Sequence, residues 1–158
     1  MLLPRIVIAA IFELLASAAF SSPAAAKSCL GAIEPALVSG GFSGSVDCKK
    51  DELALRKIGT VRSAGRIFAI YDYRYRLAPA CKGCARRGGQ RIIFMSKGRY
   101  IGQYKPNRVR GAIERGKLIL TPITYEGALD GPPVAIKFTH RGPPERVWFD
   151  WEVHSLFR

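Results

Sequence analysis

Residues 67–77 read Ile-Phe-Ala-Ile-Tyr-Asp-Tyr-Arg-Tyr-Arg-Leu, and this stretch decides the fold class. From residue 71 onward, tyrosine or leucine on one face alternates with Asp72, Arg74 and Arg76 on the other. A period of two is typical of a half-buried strand. The sequence therefore predicts a β-strand with a charged outer face. Residues 67–70 are apolar on both faces, so we expect that end of the strand to be covered.

Further short apolar stretches follow at intervals of about 10 to 12 residues, separated by turns rich in Gly, Pro and Asn. They predict strands at residues 92–95, 100–104, 109–113, 118–121, 134–139 and 147–153. With about seven to eight short strands and no long helices between them, a parallel sheet is not expected. The sequence predicts a mainly β fold, either a small antiparallel barrel or a two-layer sandwich.

The last of these stretches alternates over its whole length. The apolar set on one face is Val147, Phe149, Trp151 and Val153, and the set on the other is Trp148, Asp150, Glu152 and His154. We therefore expect one continuous strand there. Because alternation places polar residues together whatever they do, the second set does not by itself predict a metal site, and none is expected.

The N-terminal segment, residues 1–26, has the features of a secretory signal peptide. Arg5 gives a short positive start, residues 6–20 are mostly apolar, and Ala24-Ala25-Ala26 offers small residues for cleavage. A run of about 15 apolar residues is too short to span a bilayer as a helix. We expect the segment to be removed, leaving residues 27–158 as a single basic β-rich domain without a transmembrane segment, exported to the periplasm or the cell exterior.

Four cysteines in an exported chain indicate two disulfides. The local pairing, Cys29 with Cys48 and Cys81 with Cys84, is the expected one, although the sequence leaves the crossed pairings open. The first bond would tie residues 27–50, an irregular arm rich in Gly and Ser, to the domain. Residues 51–57, which follow it, are compatible with two helical turns or with the start of a strand.

Cys81-Lys-Gly-Cys84 has the spacing of a thiol-disulfide redox motif. A redox cysteine normally begins a helix, whereas Gly88-Gly89 and a predicted strand follow here. We therefore expect a structural disulfide and keep redox activity as an alternative function. A zinc site is not expected because the other cysteines are too far apart in sequence, and no cofactor is expected.

Charge is concentrated in one part of the chain. The whole chain carries a formal net charge of +13, and between residues 56 and 117 seventeen Lys and Arg residues accompany only Asp72 and Glu114. Arginine forks suit phosphate and carboxylate groups. The candidate anion-binding residues are Lys82, Arg86, Arg87, Arg91, Lys97, Arg99, Lys105, Arg108 and Arg110. Tyr100 and Tyr104 lie between them and are candidates for stacking on a sugar or a base.

These features predict a non-enzymatic domain that binds an anionic partner through arginine-rich loops. The expected partners are an anionic lipid, a glycolipid, a polysaccharide or a cell-wall polymer. Nucleic acid is not expected, because export separates the protein from the genome. No catalytic set of residues emerges, since the two histidines are 14 residues apart on different predicted strands. A secreted inhibitor or other protein-binding module is a further alternative, on fold-level analogy only.

Overall fold

The computed structural model describes residues 29–158, so the predicted signal peptide lies outside the described residues. The fold is mainly β, as predicted. A short 3₁₀ turn, Gly31–Ile33, leads into helix α1 (Glu34–Ser39). The strands are β1 (Glu52–Ser63), β2 (Arg66–Arg76), β3 (Gly88–Ser96), β4 (Arg99–Tyr104), β5 (Val109–Glu114), β6 (Lys117–Pro122), β7 (Val134–Ile136), β8 (Arg146–Phe149) and β9 (Glu152–Ser155). Among the described residues, no helix is long and apolar enough to cross a bilayer.

The strands form three antiparallel sheets. Strands β1-β2-β3-β4 make a four-stranded sheet in chain order, β5-β6-β7 make a three-stranded sheet, and β8-β9 form a separate hairpin. Two-residue turns, Ala64-Gly65, Lys97-Gly98 and Arg115-Gly116, connect β1 to β2, β3 to β4 and β5 to β6. Both central residues have positive φ in each turn, as the tightest hairpins require. Glycine at the second position therefore fits the geometry in all three.

One apolar core lies between the four-stranded sheet and the other two sheets. Every strand contributes to it except β9, whose neighbour Leu156 takes part. Its fully buried members include Ile70, Phe94 and Leu118. Phe94 packs edge-on against Tyr104 at a centroid distance of 5.1 Å. The strands from one sheet thus bury their apolar faces against those of the others, which is the layered arrangement expected for short antiparallel strands.

The N-terminal arm covers the opposite face of the four-stranded sheet. Leu30 and Leu37 are buried there against Tyr73 and Ile93. The Tyr73 hydroxyl donates a 2.7 Å hydrogen bond to the carbonyl oxygen of Ser45. The predicted disulfides, Cys29–Cys48 and Cys81–Cys84, are confirmed. The prediction of an irregular arm was wrong in one respect: residues 31–39 are helical, because Pro35 fits a first helical turn and Leu37 reaches the sheet.

Residues 52–57 form the beginning of β1, so of the two interpretations left open for residues 51–57 the strand is the correct one. Leu53 and Leu55 alternate onto the face that the arm covers, while Arg56 and Lys57 stay exposed. Glu52 lies directly across from Arg76 of β2, and their side chains form an ion pair at 3.7 Å. The strand is favoured because a helix would separate the two leucines from this face.

The charged outer face predicted for β2 was wrong at Asp72. Its side chain is only 3% exposed, because it faces the main core rather than solvent. Gln90 Nε2 donates to Asp72 Oδ1 at 2.7 Å, and Arg74 Nε forms an ion pair with Asp72 Oδ2 at 3.2 Å. Arg74 and Arg76 themselves are exposed, as predicted. The buried carboxylate is retained because these donors satisfy it.

The prediction of one continuous strand over residues 147–153 was also wrong. The chain reverses at Asp150-Trp151, whose φ angles are 53° and 61°, and Trp148 then pairs with Val153. The C-terminal part of the 134–139 prediction likewise falls outside β7. Left-handed backbone costs a residue other than glycine about 1–2 kcal/mol. Asp150-Trp151 is the one two-residue turn of this kind in residues 29–158 that has no glycine.

Candidate functional site: a basic cleft

A cleft of about 1050 Å³ opens where β3 extends beyond the end of β4. The last paired residues of these strands are Ile92 and Tyr104, so residues 88–91 have no β4 partner in the ladder. Pro106 follows and lacks the N–H that would continue the pairing. The chain instead bends away, and the end of β2, residues 105–108, the loop of residues 123–130 and Asp150 complete the walls.

Six basic side chains line this cleft. They are Arg74, Arg76, Arg86, Arg91, Lys105 and Arg108. Four of the nine residues predicted to bind anions are therefore close together, although their binding role stays a prediction. The convergence follows from the fold, since the loop before β3 and the segment after β4 meet at the same end of the sheet.

The other five predicted residues do not line the cleft. Lys97 and Arg99 flank the turn at the far end of β3, about 20 Å along the strand from Arg91. Lys82 and Arg87 are exposed in the disulfide loop. The Arg110 guanidinium donates to the carbonyl oxygen of Gly127 at 3.0 Å and is not part of the lining. These five residues thus lie outside the cleft, and their anion-binding role stays a prediction.

Two cleft residues were missed because they belong to a strand rather than to a loop. Arg74 and Arg76 were read as the solvent face of β2, and only the three-dimensional arrangement brings the end of β2 beside residues 105–108. Each has a carboxylate partner: Asp72 for Arg74, and Glu52 for Arg76. Arg86 also pairs with Glu52. Three of the six cations are thus ion-paired, although only two carboxylates serve them.

The remaining three cations, Arg91, Lys105 and Arg108, form no ion pair with any described residue. Arg91 donates to the Tyr75 hydroxyl at 3.0 Å, and its buried Nε has no hydrogen-bond partner among the described residues. Burial and the nearby charge of Arg91 both lower the pKa of Lys105. These three cations of the cleft are therefore without a direct carboxylate contact among the described residues.

Carboxylates also line the cleft. They are Glu126, Asp130 and Asp150. Burial raises the pKa of Asp150, and the charges of Glu152 and Asp130 act in the same direction. Asp150, Glu152 and His154 place ligand atoms within 4.8 Å of one another. His154 is buried and its Nε2 lies 3.2 Å from the carbonyl oxygen of Phe149. The cleft thus combines three carboxylates with its six basic side chains.

Two tyrosines line the cleft, and Tyr125 is the exposed one. Residue Tyr125 is 82% exposed, and the Arg108 guanidinium lies 3.3 Å from its ring centroid, whereas Tyr75 is half-buried beneath Arg91. Tyr100 and Tyr104, the predicted stacking residues, do not line the cleft. Tyr104 is fully buried in the main core, and Tyr100 packs against Phe42 of the arm. Tyr125 lies in a loop, so no periodic pattern marks it in the sequence.

The Cys81–Cys84 disulfide lies in an exposed loop beside the cleft. The amide of Cys84 donates to the carbonyl oxygen of Cys81 at 3.1 Å, so the motif closes a single tight turn. Strand β3 follows it, and no helix begins at Cys81. The helix terminus that lowers the pKa of a redox cysteine is therefore missing from this loop.

No family model matches the chain, and no curated protein or solved structure is significantly similar to it.

Proposed function

We propose that this protein is an exported, non-enzymatic binding protein that holds an anionic polymer of the cell envelope in the basic cleft. The observation that carries the proposal is the trio of Arg91, Lys105 and Arg108, which have no carboxylate partner among the described residues. Cations in a partly desolvated cleft attract anions more strongly than the same charges on an open surface.

A polymer fits the cleft better than a small molecule or a flat lipid surface does. Small-molecule pockets are mostly apolar, whereas charged and polar residues dominate this lining, and its volume of about 1050 Å³ is at the upper end of their usual range. A bilayer is flat and would contact the rim of a concave site before it reached Arg91. A chain-like ligand enters the cleft and pairs with all three cations.

Export is supported by the predicted signal peptide and by two disulfides, which persist in oxidising compartments. We expect the secreted protein to begin at Lys27 and to carry Cys29–Cys48 and Cys81–Cys84 as its only linkages. Non-reducing peptide mapping of protein from the culture medium or periplasm measures both. Full-length protein with four reduced thiols in the cytosol would contradict this part of the proposal.

Binding is tested with the double variant Lys105→Met, Arg108→Met, which keeps the aliphatic stems and removes two charges. The probe is polygalacturonate, measured by calorimetry at several salt concentrations. By counterion release from about three contacts, wild-type affinity should fall about 20- to 40-fold between about 50 and 200 mM salt. The variant should bind at least tenfold more weakly at low salt, with a salt slope about one third as steep.

The matched control is Lys97→Met, Arg99→Met, which removes the same charge at the far end of β3. It should change the affinity by less than about threefold, since screening limits the reach of surface charge to about 8 Å in physiological salt. Equal losses in the two double variants, or wild-type binding that does not depend on salt, would refute a localised site.

A further inference from the structure

We infer that the anionic polymer is an acidic polysaccharide, whose sugar rings stack on Tyr125 and Trp151. This inference rests on the proposed function and narrows its ligand to one chemical class. It depends on the presence of both cations and carboxylates in the cleft lining, on Tyr125 and on the unusual turn at Trp151.

The carboxylates in the lining argue against a ligand whose polar groups are mainly negative charges. Glu126, Asp130 and Asp150 would repel a polyphosphate or polyglutamate chain that filled the cleft. A uronic acid polymer offers both kinds of group: carboxylates for Arg91, Lys105 and Arg108, and hydroxyl donors for the carboxylate oxygens. Thr124 Oγ1, a buried hydroxyl in the lining without a partner among the described residues, is a further group for a sugar hydroxyl.

Tyr125 provides an aromatic surface for a sugar ring. Arg108 lies against its ring at 3.3 Å, so the ring is supported from one side while 82% of the residue is exposed. An aromatic face packs well against the C–H groups of a sugar, and its edge hydroxyl tolerates water. The Arg108 guanidinium beside it is in place for a carboxylate of the same ligand.

Trp151 provides a second exposed ring, next to Asp150 of the cleft lining. It is 77% exposed and has φ of 61°. The three other two-residue turns have Gly at this position, where a bulky residue is strained. The indole is thus kept in a strained turn while most of it is exposed, and such strain is concentrated at functional positions.

The test compares three soluble polymers of matched length with EDTA present: polygalacturonate, polyglutamate and neutral dextran. Wild type should bind polygalacturonate at least tenfold more tightly than polyglutamate at equal salt, and dextran more weakly than either. Trp148 and Trp151 are the only tryptophans in the chain, so their emission should change with polygalacturonate and not with polyglutamate.

Three variants separate stacking from charge. Tyr125→Ala should lower polygalacturonate affinity about tenfold and leave polyglutamate affinity unchanged, whereas Tyr125→Phe should retain wild-type affinity because the ring is kept. Trp151→Gly should lower polygalacturonate affinity severalfold without lowering the melting temperature, since glycine relieves the strained turn. A purely structural role of Trp151 predicts no loss of affinity.

The outcomes distinguish this inference from the proposed function. Equal affinity for polygalacturonate and polyglutamate, with Tyr125→Ala affecting both alike, would overturn the polysaccharide inference and leave anion binding intact. Tighter binding of a single-stranded oligonucleotide than of polygalacturonate would also overturn it. Binding to none of the anionic polymers would overturn the proposed function itself.

Discussion

Replacing Cys29 and Cys48 by serine is expected to lower the free energy of unfolding by about 3 kcal/mol. The bond joins residues 19 apart in sequence, and the chain-entropy model gives about this value for a loop of that length. Only Leu30 and Leu37 of the arm are fully buried among the described residues, and Ile33, Ala36, Phe42 and Val46 pack around them only partly buried, so we expect the bond to contribute strongly to holding the arm. Urea unfolding followed by circular dichroism measures the change.

Tyrosine titration shows whether the lost stability comes from the arm. Burial raises the pKa of Tyr73 to about 12 and that of Tyr100 to about 12, from an ordinary 10.0. Phe42 of the arm packs edge-on against both rings. We expect both tyrosines to ionise nearer pH 10 in the serine variant, as followed by ultraviolet absorbance.

The same shifts give a pH dependence of stability. Between about pH 10 and 12 the folded protein keeps protons on Tyr73 and Tyr100 that the unfolded chain has lost. The free energy of unfolding therefore falls as pH rises through this range, and the fall should be smaller in the variant.

The control is Cys81→Ser, Cys84→Ser, whose bond spans three residues in an exposed loop. This control should lower the free energy of unfolding by at most about 2 kcal/mol and leave the tyrosine titration unchanged. A shifted titration in the control, with an unchanged titration in the Cys29→Ser, Cys48→Ser variant, would contradict the role of the arm.

Two of the predicted hairpins have turns that carry their own signal. Lys97-Gly98 and Arg115-Gly116 interrupt the apolar pattern, and the glycine accepts positive φ, so β3 to β6 are recognisable from the sequence.

Asp150-Trp151 gives no such signal, because Trp151 continues the alternation of residues 147–154. The two-residue turn pairs Phe149 with Glu152 and Val147 with His154, so it reverses which positions share a face. For this reason His154 is buried while Val153 is exposed.

Which face of a strand is buried, and which charges converge, depended on contacts distant in sequence. Alternation correctly placed the tyrosines of β2 on one face, but it could not show that both faces are covered. The arm covers one face and the main core the other, so Asp72 is buried. The cleft likewise needed the end of β2 to lie beside residues 105–108, which no local pattern encodes.

Gln90 connects the core to the cleft. Replacing it with methionine should lower the free energy of unfolding by about 3 kcal/mol. Its Nε2 donates to the carbonyl oxygen of Val109, and its Oε1 accepts a hydrogen bond from the Val109 N–H, each at 2.9 Å. Nε2 also donates to Asp72 Oδ1 at 2.7 Å. All three residues are buried. Methionine fills a similar volume but leaves the Val109 N–H without its acceptor, and a buried unsatisfied donor costs about 1–3 kcal/mol; loss of the bond to the Asp72 carboxylate adds to this.

The matched control for this prediction is Gln103→Met, a second buried glutamine on the same four-stranded sheet. Its Nε2 bonds the hydroxyl of Ser43 at 2.7 Å, and its Oε1 has no partner among the described residues. That substitution should lower the free energy of unfolding by at most about 1 kcal/mol.

Because Arg108 directly precedes Val109, Gln90→Met should also weaken polygalacturonate binding, and Gln103→Met should not. Equal destabilisation by the two variants would mean that apolar packing alone, without the Gln90 bonds, holds β5 against the four-stranded sheet. Unchanged polymer binding in folded Gln90→Met would show that Arg108 is positioned without Val109.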